Sequence, residues 1–84
     1  MNLWEIITVS PDIQSGVPVF KGTRVPVIGF LDHIKKGIPV SEFIEDFPSV
    51  SKEQALQLLD YFKETIMTSG MNKINEDINR RKFA

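Results

Sequence analysis

Polar side chains collect near the start of a helix that is predicted in the second half of the chain. Lys52, Gln54 and Gln57 lie close together there, and Glu53 stands between the first two. In the major groove of DNA, glutamine can form two hydrogen bonds with adenine, and lysine can contact guanine or a phosphate. The lysine and the two glutamines are therefore predicted DNA contacts if this helix enters the groove. The carboxylate of Glu53 is unfavourable next to phosphates.

Basic side chains elsewhere in the chain could bind the phosphates of the DNA backbone. The candidates are Lys21, Arg24, Lys35, Lys36 and Lys63. Arg24 has a second possible role, because it could bond carbonyls or the carboxylate of Asp12 or Asp46 and fix a corner of the chain, and we favour that role. The chain has 10 basic and 11 acidic residues and a net charge of −1. The positive charge that DNA binding needs must therefore be local, or doubled in a dimer.

Catalytic chemistry has few candidates in this sequence. The one histidine, His33, is predicted on the polar side of the first helix as an exposed residue with no acid–base or metal partner. The absence of cysteine excludes disulfides and thiolate metal sites. Neither a Gly-x-Ser-x-Gly motif nor a glycine-rich phosphate loop is present. We therefore predict a binding protein and not an enzyme, with no catalytic residue, metal or cofactor.

Two short strands are predicted ahead of the helices. Residues 3–9 are rich in β-branched and aromatic types and end at a turn over residues 10–12. The second strand covers residues 17–20, and Pro18 places it at a sheet edge because proline cannot donate a backbone hydrogen bond. Two strands alone are marginally stable in water. They need a helix packed on them, or the strands of a second chain beside them.

The first helix is predicted between Pro26 and Gly37. Proline suits the first helical turn, and glycine suits the left-handed position that ends a helix. The spacing of apolar residues predicts a buried face made of Val27, Phe30, Leu31 and Ile34.

Two further helices joined by a short turn predict a helix-turn-helix pair. The second helix follows the N-cap Ser41 and covers residues 42–47. The third covers residues 52–68 and opens with a capping box formed by Ser51 and Gln54. Its buried face is predicted to consist of Ala55, Leu58, Leu59, Phe62 and Ile66.

The predicted fold is mainly α with a short N-terminal β segment, a three-helix helix-turn-helix domain of the homeodomain-like or winged type. The domain covers residues 1–68, with the β segment over 1–22 and the helices over 26–68. Residues 69–84 form a tail that either orders on a partner or is a solvated, frayed terminus, and both readings stay open.

The small size of the chain also bears on assembly and location. A domain of 84 residues has a thin core, to which oligomerisation would add stability. No apolar run approaches the ~18 residues of a membrane-spanning helix, and the N-terminus lacks the pattern of a signal peptide. We expect a cytoplasmic protein with no membrane partner.

Three stretches of the chain resemble the signature of the domain-of-unknown-function 433 (DUF433) family. They are Ser-Gly-Val-Pro-Val-Phe-Lys-Gly-Thr-Arg-Val-Pro-Val at 15–27, the run from Lys36 to Pro48, and Ser-Lys-Glu-Gln-Ala-Leu at 51–56. The resemblance covers roughly residues 6–66. The chain departs from the pattern at Val17, where a basic residue is common, and at Val50, where leucine is frequent.

The resemblance implies an antitoxin-like domain of the VapB type, with a homeodomain-like helix-turn-helix fold. It also implies a homodimer in which the N-terminal β segments of two protomers pair. The partners would be promoter DNA and a PIN-like ribonuclease toxin, and the tail is where a toxin-binding segment is expected. Two recognition helices about 34 Å apart would fit one turn of DNA. The alternative is a protein–protein interaction module that has the helix-turn-helix fold and does not bind DNA.

Overall fold

The computed structural model describes residues 2–70 of the chain, and the predicted tail lies almost entirely outside this part. Two short strands form an antiparallel ribbon, β1 (Ile7–Thr8) and β2 (Val19–Phe20). The ribbon is followed by three helices, which are α1 (Val27–Lys35), α2 (Val40–Asp46) and α3 (Lys52–Thr65). A π-helical turn, Ile66–Gly70, continues from α3. The predicted fold class, mainly α with a short N-terminal β segment, is confirmed.

The two strands pair with each other within one chain. Ile7 lies opposite Phe20 and Thr8 opposite Val19, and the N–H of Lys21 donates to the carbonyl of Ile6 at 2.9 Å. The N–H of Phe20 points the other way and donates to Val25 at 3.0 Å. Ile7 and Phe20 are therefore a non-hydrogen-bonded pair, and the backbone N–H and C=O of Ile7 face away from β2.

The first strand is shorter than predicted because its first residues form a 3-10 helix. Leu3–Glu5 adopt this conformation, and the side chain of Asn2 caps it by accepting the N–H of Trp4 at 3.0 Å. The N–H of Ile6 then donates to the carbonyl of Leu3 at 2.9 Å. The prediction of a strand from residue 3 was wrong, since a local side-chain cap overrode the β propensity of the apolar residues.

The segment between the strands contains a left-handed turn. Gln14, Ser15 and Gly16 have φ angles of +50°, +56° and +87°. This conformation is costly for the two residues that have a Cβ atom.

A tight corner connects the ribbon to α1 and depends on Thr23. Its buried hydroxyl donates to the carbonyl of Phe20 at 2.8 Å and accepts the N–H of Val25 at 3.0 Å. Gly22 provides the positive φ of +78° that the corner requires. The chain then lies along the second side of β2, where Pro26 forms a bridge with Val19. Arg24 was predicted to fix this corner by bonding carbonyls or a carboxylate. It is exposed, and the side-chain hydrogen bonds that hold the corner come from Thr23.

The helix ends agree with the sequence at some positions and differ at others. Gly37 ends α1 with a φ of +79°, and Ser51 caps α3 by accepting the N–H of Gln54 at 3.0 Å, as predicted. The second helix begins one residue before Ser41, with Pro39 at the N-cap position and no side-chain cap, so Ser41 is not its N-cap. The last residues of the predicted third helix belong to the π-helical turn.

Three phenylalanines form the centre of the core. Phe20, Phe30 and Phe43 are fully buried, with ring centroids 4.9 to 6.2 Å apart. Each comes from a different element, so the cluster joins the ribbon, α1 and α2. The remaining buried hydrophobic residues are Ile6, Ile7, Val19, Val27, Val50, Ala55 and Leu58.

The buried faces of two helices differ from the predicted ones. His33 was predicted to be exposed, but it is half-buried against the rings of Phe43 and Phe47, at centroid distances of 5.2 and 5.8 Å. Its Nδ1 lies 2.7 Å from the carbonyl of Gly29. Ile34 and Ile66, predicted to be buried, are 37% and 65% exposed. The aromatic side chains of α2 cover the His33 side of α1, which helical periodicity alone does not reveal.

Candidate nucleic-acid interface

The turn between α2 and α3 is short and anchored in the core. Phe47 N–H donates to Phe43 at 2.9 Å, and Val50 N–H donates to Phe47 at 3.0 Å. Val50 is fully buried. An apolar side chain in the middle of a turn fixes the turn against the core, so α2 and α3 keep a defined relative orientation, as a helix-turn-helix pair requires.

The first two turns of α3 present polar side chains to the solvent. Ala55 and Leu58 are buried, whereas Lys52, Glu53, Leu56 and Gln57 are exposed. The N-terminus of a helix has a partial positive charge that favours phosphate groups. This end of α3 therefore carries a helix terminus, an exposed lysine and an exposed amide side chain, with one exposed carboxylate between them in the sequence.

Gln54 does not belong to this exposed surface. It is half-buried, and its Nε2 donates to the carbonyl of Lys21 at 2.9 Å and to that of Ile6 at 3.4 Å. The capping box is thus half present, because Ser51 accepts from Gln54 but the amide of Gln54 extends to the ribbon. No signal in the sequence points to this contact, since its partners are backbone atoms 33 and 48 residues away.

The basic residues predicted to bind phosphates lie in three places, one of which is the last turn of α3, where Lys63 is exposed. Lys21 and Arg24 are exposed around the corner after β2, and the backbone of Lys21 contacts α3 through Gln54. The ammonium of Lys21 also donates to the carbonyl of Trp4 at 3.4 Å. Lys35 and Lys36 are exposed at the far end of α1, a helix about 13 Å long. The structure thus joins Lys21, but not the lysines of α1, directly to the start of α3.

An apolar groove of about 260 Å³ lies beside the first turns of α1. Its lining consists of Val17, Pro18, Val27, Ile28 and Leu31. Val17 and Ile28 are 39% and 56% exposed, which is unusual for side chains of this size. Residues 2–70 contain no group of three or more His, Asp or Glu side chains that could hold a metal ion. Within the same residues, no helix has the length and apolar character to cross a membrane.

The ribbon, the three helices and the anchored turn define a small, mainly helical domain with a short two-stranded β segment at its N-terminus. Residues 7–62 match the family model described as "Protein of unknown function (DUF433)". The chain belongs to the DUF433 family, which confirms the resemblance seen in the sequence.

A relative of the chain occurs in Sinorhizobium fredii (strain NBRC 101917 / NGR234), where it is described as the uncharacterized protein y4eO. The two are 35% identical over 74 residues, which cover 88% of this chain and 33% of the relative. The chain thus spans about a third of the length of this curated relative. No solved structure matches the chain.

Proposed function

We propose that this chain is the antitoxin-like component of a type II toxin–antitoxin system, which neutralises a PIN-like ribonuclease and binds promoter DNA as a dimer. The observation that carries the proposal is the start of α3, where exposed Lys52 and Gln57 project from a helix that the core-anchored α2–α3 turn holds in place. Because the proposed partner is promoter DNA, the proposed location of the protein is the cytoplasm. The chain acts by binding, with no catalytic step of its own.

Lys52 and Gln57 are the proposed contacts to base edges. They lie five residues apart on α3, and the intervening Ala55 faces the core. Gln54 is not among the proposed base contacts, because its side-chain amide bonds to backbone carbonyls of the ribbon. Lys21 and Arg24 are the proposed phosphate contacts next to α3, and Lys35 and Lys36 serve a more distant part of the backbone.

Dimer formation uses the outer edge of β1. Ile7 faces its backbone hydrogen-bonding groups away from β2, and the alternation of an extended chain predicts the same direction for Val9, the residue after β1. The side chains of Val9 and Trp4 beside this edge are 47% and 59% exposed. Two ribbons that pair through β1 form a four-stranded sheet, which is more stable than either ribbon alone.

The dimer edge is tested by Val9→Pro, which removes an N–H that faces away from β2. We expect this variant to fold and to sediment as a monomer, because proline interrupts pairing on the outer edge without changing the pairing of β1 with β2. Analytical ultracentrifugation of the variant and the unmodified chain provides the measurement. A Val9→Pro dimer of unchanged stability would refute pairing through β1.

DNA binding is tested by fluorescence anisotropy with the duplex from upstream of the chain's own gene and a scrambled duplex of equal length. We expect tighter binding to the native duplex, with a log–log salt slope of about −0.9 for each phosphate contact. Lys52→Ala combined with Gln57→Ala should lower the affinity for the native duplex by tenfold or more, on the order of one lost base contact. Its melting temperature should stay within about 3 °C of the unmodified chain, since both side chains are exposed.

Glu64→Ala is the matched control for the double variant. This residue is exposed on the last turn of the same helix, far from the proposed contacts, so its substitution should leave DNA affinity unchanged. Equal affinity of the double variant and the control would contradict the assignment of Lys52 and Gln57.

A protein–protein interaction module is the second candidate function, and the groove beside α1 favours it. Exposed apolar patches on small proteins often mark contact sites for other proteins. Under this reading, anisotropy shows no difference between the duplexes at any salt concentration. Capture of the protein encoded by the adjacent gene is then lost in Ile28→Asp and retained in the Lys52/Gln57 variant.

A further inference from the structure

The last rung of the β ribbon is incomplete in its own backbone. Lys21 N–H donates to the carbonyl of Ile6, and an antiparallel rung would be completed by Ile6 N–H donating to the carbonyl of Lys21. That N–H is not available, because it donates to the carbonyl of Leu3 at the end of the 3-10 helix. The carbonyl of Lys21 is therefore left in need of another donor.

Gln54 supplies this donor from α3. Its Nε2 lies 2.9 Å from the carbonyl of Lys21 and 3.4 Å from that of Ile6, so one side-chain amide contacts both strands. The backbone N–H of Gln54 is already bonded to the hydroxyl of Ser51. The same residue thus holds the N-cap of α3 with its backbone and the end of the ribbon with its side chain.

We propose that Gln54 is a positioning residue, which completes the last rung of the ribbon and thereby fixes the first turn of α3 relative to Lys21. The inference rests on the proposed function in one respect, namely that Lys52 and Gln57 contact bases while Lys21 contacts a phosphate. The correct spacing of these groups then depends on a residue that touches no DNA.

The test compares Gln54→Met with Gln57→Met, two substitutions that replace an amide with an apolar chain of similar length on the same helix. Hydrogen exchange of the free protein is measured first. In Gln54→Met, the amides of Gln54, Ala55 and Lys21 should exchange about fivefold faster or more, the effect of losing one hydrogen bond. In Gln57→Met, exchange at these amides should be unchanged, because Gln57 is exposed.

DNA binding of the same two variants separates positioning from direct contact. In Gln54→Met, the ratio of affinities for the native and scrambled duplexes should fall about fivefold while the salt slope stays the same, since no phosphate contact is lost. In Gln57→Met, the ratio should fall without any change in exchange. If Gln54→Met does not fold, Gln54→Asn is used, because it keeps the amide on a chain one methylene too short to bridge both carbonyls.

Each contrary outcome overturns a different statement. Unchanged exchange in Gln54→Met, with or without a fall in discrimination, overturns the positioning role, and a fall would make Gln54 a base contact. Faster exchange with undiminished discrimination overturns the link between the ribbon and DNA recognition. If the unmodified chain prefers neither duplex, the proposed function fails, whereas the exchange data still decide whether Gln54 fixes α3 on the ribbon.

Discussion

The two ends of α3 are held in different ways. At the first turn, the hydroxyl of Ser51 caps the helix and Gln54 bonds to the ribbon, which is distant in sequence. At the last turn, Thr65 donates to the carbonyl of Tyr61 one turn earlier, and the helix passes into a π-helical turn whose Ile66 is 65% exposed. Long-range hydrogen bonds thus hold the end on which DNA binding is proposed, whereas the other end has a hydrogen bond within the helix and the apolar contact of Phe62 with the core.

This difference indicates which turns of a helix a small domain holds in a defined position. A helix is weakly stable on its own, so its tertiary contacts decide which turns stay formed. Here the first two turns, which are capped and tethered, carry the exposed Lys52 and Gln57, and the last turn has only the partly buried Phe62 on the core before the exposed Ile66.

The largest expected effect comes from apolar truncations in the middle of α3 and just beyond its last turn. Leu58→Ala should lower the free energy of unfolding by about 3 kcal/mol, because a side chain that is 1% exposed leaves a cavity. Ile66→Ala should change it by less than about 0.5 kcal/mol, since its side chain is mostly in solvent. Urea unfolding of both variants measures the difference. Similar losses in the two variants would mean that the far end is as firmly packed as the middle of α3.

A threonine exchange compares the ribbon, on which the first turn rests, with the far end of the helix. Thr23→Val removes a buried hydroxyl with two hydrogen bonds and should cost about 2 kcal/mol, since Val25 N–H loses its acceptor and the carbonyl of Phe20 keeps only the backbone N–H of residue 23. Thr65→Val removes one exposed bond within the helix and should cost less than about 0.5 kcal/mol. Thermal unfolding followed by circular dichroism ranks the pair. A reversed order would contradict the role of Thr23 in fixing the corner.

The smallest expected loss of stability comes from removing the N-cap of α3. Ser51→Ala should lower stability by about 1 kcal/mol, because the N–H of Gln54 loses its acceptor. Hydrogen exchange should show the loss first at the amides of Gln54 and Ala55. The control Thr65→Ala should leave these two amides unaffected. Protection that is equal in Ser51→Ala and in the unmodified chain would show that the tether from Gln54 is sufficient without the cap.

Features determined by neighbouring residues could be predicted from the sequence, and features determined by distant ones could not. Gly37 and Ser51 were correctly assigned because a helix end depends on a few adjacent residues. The buried position of His33 depends on the rings of α2, and the contact of Gln54 depends on a carbonyl 33 residues earlier. Leu3–Glu5 were predicted as strand because apolar composition outweighed the cap from Asn2, which is also local and could have been considered.

In the candidate site, too, some features depend on neighbouring residues and others on distant ones. That Lys52 and Gln57 stand at the start of a helix follows from the N-cap signal and the periodicity, and the structure places both on the exposed side. That Lys21 lies against this helix while Lys35 and Lys36 do not follows from the path of the ribbon, which no short-range pattern encodes. Their function in DNA binding stays a prediction.

The bridge between Val19 and Pro26 limits how far sheets of this protein can grow. It occupies the second side of β2, so within residues 2–70 the outer edge of β1 is the single strand edge that no other strand covers. When two such edges pair, their free backbone N–H and C=O groups bond to each other, and the joined sheet has no open strand edge for a third chain. Sheets with two open edges can extend into fibrils, whereas a ribbon with one open edge allows only the two-fold pairing of the proposed dimer. The proposed dimer would then have no second strand edge for further chains, because the segment around Pro26 covers that side of β2.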